Sequence, residues 1–82
     1  MSKIFDLHKI DEQYFWKWER DDGKTIECKT DEDGCGIWEF LPSIYGTGEI
    51  IPRQTAGTCD FMLRGMSISG ARKKLKRYFC EG

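Results

Sequence analysis

The sequence predicts an α+β domain: an antiparallel sheet of three to five strands with one C-terminal helix, about residues 67–80, packed on one face. Three observations carry this. Between residues 13 and 41, runs that alternate along the chain are separated by two turns ending in Asp-Gly. Alternation is the period of a strand, and Asp-Gly supplies the positive φ that a tight turn needs. A second alternating stretch, 49–64, folds about Ala56-Gly57 as a further hairpin. After it, Ile68, Ala71, Leu75, Tyr78 and Phe79 recur at spacings of three and four, the period of a helix with one apolar stripe.

The elements follow in order. Residues 1–12 hold Ile4, Phe5, Leu7 and Ile10 and fit either a short strand or a helical turn. In 13–20, Tyr14, Trp16 and Trp18 face one way and Phe15, Lys17 and Glu19 the other. After Asp21-Asp22-Gly23-Lys24, Ile26 and Cys28 share a face opposite Glu27 and Lys29. Asp31-Glu32-Asp33-Gly34 forms the next turn. A third strand, 36–41, sets Trp38 and Phe40 against Ile37, Glu39 and Leu41. Both its faces are apolar, as in a strand that is central or covered on both sides. Pro42 ends it, and 42–49 reads as a loop. Pro52 places the fourth run on an edge or demotes it to a loop, because proline donates nothing to a ladder. In the fifth, Cys59, Phe61 and Leu63 alternate with Asp60, Met62 and Arg64. Ser67 or Ser69 caps the helix.

With 82 residues the chain fits a single domain, 1–82. A chain this short buries only about 60–65% of its unfolded surface, leaving little material for a deep water-excluding pocket. At 39% hydrophobic and 33% charged it is a folding composition. Part of the 13% aromatic content must form the core, and any excess is available to a recognition surface. No run nears the roughly 20 apolar residues of a membrane span. The first residues lack the apolar core of a signal peptide, so the mature chain is expected to begin at Met1, in a cytosol-like compartment.

Candidate chemistry is sparse. His8 is the single histidine, and no spacing pairs it with a thiol. Cys28, Cys35, Cys59 and Cys80 are separated by 6, 23 and 20 residues, without the close pair that zinc sites show. They read as free thiols, and no cofactor is expected. Of the adjacent carboxylates, Asp21-Asp22 and Asp31-Glu32-Asp33 lie in predicted turns, where they stay solvated. No phosphate-binding glycine motif is present.

Charge is segregated. Residues 1–48 hold six Lys/Arg against eleven Asp/Glu, and 49–82 hold seven against three, giving −5 and +4. An acidic and a basic face can meet different partners. The first expectation is a non-catalytic protein-binding inhibitor or adaptor, a profile shared by anti-defence inhibitors of phage and mobile elements. Its contact residues would be Asp21, Asp22, Asp31, Glu32 and Asp33, with Trp16 and Trp18 as anchors if they are exposed rather than core. The second is a nucleic-acid-binding domain using Arg72, Lys73, Lys74, Lys76 and Arg77, five cations within six residues. Two of these lie near the helix N-terminus, where the macrodipole disfavours them.

Two resemblances accompany these readings. Trp16 or Trp18, Asp22-Gly23-Lys24 and Trp38 to Pro42 make a three-stranded meander that resembles a WW domain, which implies recognition of proline-rich peptides. Ile26 and Glu27 stand where those modules carry paired aromatics. A sheet followed by a basic-faced helix is similar to integrase arm-binding domains, which implies DNA reading by the sheet.

Overall fold

The structure, a computed structural model, describes residues 3–42 and 48–80. Five strands, β1 (Lys3–Ile10), β2 (Gln13–Glu19), β3 (Thr25–Lys29), β4 (Ile37–Pro42) and β5 (Ile50–Ala56), precede helix α1 (Ile68–Phe79). The strands lie in chain order, β1-β2-β3-β4-β5, and every neighbour is antiparallel. The fold is therefore the expected α+β sheet with a C-terminal helix packed against it. The strands that resemble a WW domain, β2 to β4, are the interior of this larger sheet.

Each turn has a local cause. At β2–β3, Gly23 takes φ 84°, and the Lys24 N–H donates to Asp22 Oδ1 at 3.0 Å. At β3–β4, Asp31 Oδ1 accepts the N–H groups of Asp33 (3.0 Å) and Cys35 (3.1 Å), while Gly34 takes φ 79°. The β1–β2 turn is tight, Ile10 facing Gln13, and Asp11 supplies its positive φ of 54°.

The undecided residues 3–10 form a full strand. A β-bulge hides it in the sequence: Phe5 faces Lys17 and His8 faces Phe15, so Asp6 and Leu7 together oppose Trp16. Asp6 sits at φ 55°. The extra residue spaces the buried Ile4 and Leu7 by three, which mimics a helix.

The run at 58–64 is not the partner of β5. Gly57 O accepts from the Asp60 and Phe61 N–H groups, turning the chain away from the sheet edge. The segment then ties back to the β3–β4 turn through a Cys35–Met62 bridge and a bond from the Leu63 N–H to Gly34 O. Phe61 and Leu63 are buried as their alternation requires, but Cys59 is exposed. β5 is left as an edge strand carrying Pro52, the first of the two alternatives for this run.

The core lies between one sheet face and α1. Ile4, Leu7, Tyr14, Trp16, Ile26, Cys28 and Ile37 meet Phe61, Leu63, Ala71 and Leu75. Ser67 caps α1, its Oγ accepting the Gly70 N–H at 3.2 Å. Phe79 reaches Trp16 and Trp18, with ring centroids 6.1 and 4.7 Å away. Tyr78 lies at the margin of the stripe, 46% exposed. No described helix is long and apolar enough to cross a membrane.

Candidate interaction face

Alternation that sends Tyr14, Trp16, Ile26, Cys28 and Ile37 toward α1 sends their neighbours to the opposite face. Cross-strand register then fixes two rows there. One runs His8, Phe15, Lys29, Trp38, Gln54. The other runs Phe5, Lys17, Glu27, Phe40, Pro52. Five rings thus share one face, four of them (Phe5, Phe15, Trp38, Phe40) half-buried and His8 exposed.

These rings are held by their neighbours. His8 stacks on Phe15, centroids 5.3 Å apart at 11°, and its Nδ1–H donates to the Asp6 carbonyl at 2.9 Å. Lys29 Nζ lies 5.2 Å from the Phe40 ring and Lys3 Nζ 5.5 Å from Phe5. Lys17 pairs with Asp6 at 3.5 Å, and Lys3 with Glu19 at 3.8 Å. Lys3, Lys17 and Lys29 are matched by Asp6, Glu19 and Glu27, so the face is neutral. Two shallow depressions meet at Phe40. One, about 540 Å³, lies between His8, Phe15, Lys17 and Glu27; the other, about 410 Å³, between Lys29, Trp38, Asp31 and Glu32.

The expected contact residues do not form one patch. Trp16 is 2% exposed and packed in the core, so it offers a partner no surface, and its role as an anchor is corrected. Trp18 is half-buried beneath Phe79. Asp21 and Asp22 lie at one end of β3 and Asp31 to Asp33 at the other, roughly 15 Å apart for a strand of this length. Asp31 and Glu32 border the free face beside Trp38, whereas Asp22 is engaged by Lys24 and by Arg20 at 3.7 Å. On α1, Arg72, Lys73, Lys76 and Arg77 are exposed. Lys74 is folded back, its Nζ donating to the Met62 carbonyl at 2.6 Å and lying 4.9 Å from the Phe61 ring.

The set of Phe5, His8, Phe15, Trp38 and Phe40 does not stand out along the chain. Its signal was present in Phe15 facing away from Tyr14 and Trp16, and in the two apolar faces of β4.

Reactive groups are scattered. All four cysteines are free thiols, Cys28 and Cys35 buried, Cys59 and Cys80 exposed. Burial, and then the Glu39 carboxylate beside it, pushes the Cys28 thiol far above its ordinary range, so it stays protonated. Glu39 is itself only 8% exposed. Burial raises its pKa, while a Thr55 hydrogen bond and the charges of Arg20 and Arg53 work the other way. No group of three or more His, Cys, Asp or Glu among the described residues could hold a metal ion. No protein-family model, curated protein or solved structure matches this chain.

Proposed function

We propose that the protein is a non-catalytic protein-binding module, an inhibitor or adaptor, that docks its partner on the sheet face turned away from α1. The observation that carries this reading is the set of rings in register on a neutral face, centred on Phe40 and Trp38. Protein interfaces concentrate aromatic side chains at a desolvated centre and keep charges at the rim. Here the rings are packed by sheet neighbours, so little rotamer entropy is lost on docking. Charge balance favours protein over nucleic acid on this face. A phosphate backbone needs net positive charge, and Asp31 and Glu32 instead add acid at the edge. Those two residues fit a cation on the partner's rim.

The test is affinity capture from the source organism's lysate with wild type and W38A/F40A, followed by titration of the purified partner. A partner retained by wild type should bind the double variant at least about tenfold more weakly, as loss of two central rings implies. If every captured partner binds folded W38A/F40A as well as wild type, the face is not the interface and the proposal fails.

A further inference from the structure

We propose that the outward face of α1 is a second, separate binding surface, for single-stranded nucleic acid. Arg72, Lys73, Lys76 and Arg77 would take phosphates and Tyr78 would stack a base. This goes beyond the protein-docking reading, which uses the opposite side of the sheet.

Two independent observations support it. The first is charge that the fold does not use. Arg72 and Lys76 are four apart, as are Lys73 and Arg77, so they repel one another along two adjacent rows of the helix. α1 contains no acidic residue, and its first turn has none to complement the macrodipole. Among the described residues these four cations make no ion pair; the described pairs all lie on the sheet side, at Lys3, Lys17 and Arg20. Lys74 is the exception that marks the contrast, since the fold does employ it, on Met62 and Phe61.

The second observation is an aromatic depression at the end of that cationic face. Phe61, Lys74, Arg77 and Tyr78 line it, with a volume of about 640 Å³. Tyr78 is 46% exposed and held edge-on by Phe61 at 5.1 Å and Phe79 at 5.0 Å. A fixed, accessible ring beside a guanidinium is what a splayed base stacks on, and an unpaired strand presents such bases. An anionic lipid surface would suit the charges but not the packing. Surface helices insert an apolar face, and the apolar face of α1 is spent on the core, with Ala71 and Leu75 both at 0% exposure.

The experiment titrates fluorescent oligo-dT and oligo-U, a duplex of equal length, and phosphatidylserine vesicles with wild type, K73Q/K76Q/R77Q, Y78A and W38A/F40A. If four phosphates are contacted, single-strand binding should weaken roughly fiftyfold between about 50 and 200 mM salt. The triple variant should lose at least tenfold in affinity with a much flatter salt dependence and a thermal midpoint no lower than wild type. Y78A should weaken single-strand binding and leave the salt slope unchanged. W38A/F40A should bind as wild type does, which separates this proposal from the protein-docking one. No binding at low salt, equal binding by the triple variant, or tighter binding to vesicles than to oligonucleotides would overturn it.

Discussion

At the scale of single residues, Gly34 has the tightest surroundings of the described glycines. It holds φ 79°, and a Cβ there would lie 2.7 Å from the Glu12 carbonyl oxygen and 3.2 Å from both Arg64 Cα and the Tyr14 ring. Two of these neighbours are backbone and cannot turn aside. Gly34→Ala therefore combines left-handed strain with overpacking, and urea unfolding should register a loss of roughly 2–4 kcal/mol. Glu39 gives a prediction with a sign. Its folded pKa is raised, so the native state binds the proton more tightly than the unfolded chain. Wild-type stability should fall as pH rises from the ordinary carboxylate value through the raised one, because the charge then has to be carried in a buried site. Glu39→Gln should flatten that part of the profile and be more stable than wild type at neutral pH, measured by thermal unfolding across pH. A Gln variant with the same slope as wild type would show that another group titrates there. Neither residue's role is legible in the sequence. Gly34 was visible as a turn glycine, but its contacts with Glu12 and Arg64 come from distant segments, and Glu39 was placed on the side of Ile37 and Leu41 with nothing local to show that this side is the one α1 covers.

Elements differ in how local their causes are. α1 was legible down to a choice between two caps, Ser67 and Ser69, and Ser67 takes the role by acting on Gly70, three residues on. Ser67→Ala should cost about 1 kcal/mol, read from chemical denaturation. Replacing Lys73 and Lys76 by Gln should instead leave stability unchanged or raise it by a few tenths, since each like-charge pair is removed. The interior strands were legible for the same reason, alternation bounded by Asp-Gly turns. β1 was ambiguous because one bulged residue at Asp6 breaks the period of two. The stretch 58–64 alternated correctly, yet it buries Phe61 and Leu63 against α1 and the β3–β4 turn instead of pairing with β5. Alternation reports a buried side, not what buries it.

At the scale of the whole molecule, one helix can cover only one face of a five-stranded sheet. Covering the side of Tyr14 and Trp16 leaves Phe15, Trp38 and Phe40 on the other, and the cations of α1 point away from both. The two proposed surfaces share no residue and lie on opposite sides of the core. Substitutions on one should then leave binding at the other unchanged, and a variant combining W38A/F40A with K73Q/K76Q/R77Q should lose both affinities by the factors of its parents. Calorimetric titration of each ligand, alone and in the presence of the other, checks this. A change of more than a few-fold in one affinity on saturating the other would show that the surfaces are coupled.

Local sequence dictates the strand and helix periods, the Asp-Gly turns, a helix start at Ser67 or Ser69 and the partition of each strand's residues into two sides. These depend on interactions within a few residues. Tertiary structure alone decided which side became core. Tyr14, Trp16 and Trp18 on one side and Phe15, Trp38 and Phe40 on the other are comparable in size and apolarity, so neither set announces its fate. The choice was made where Leu75 and Phe79 dock, more than fifty residues along the chain from Tyr14, Trp16 and Trp18. Burial is a property of the packed pair of surfaces, not of either one.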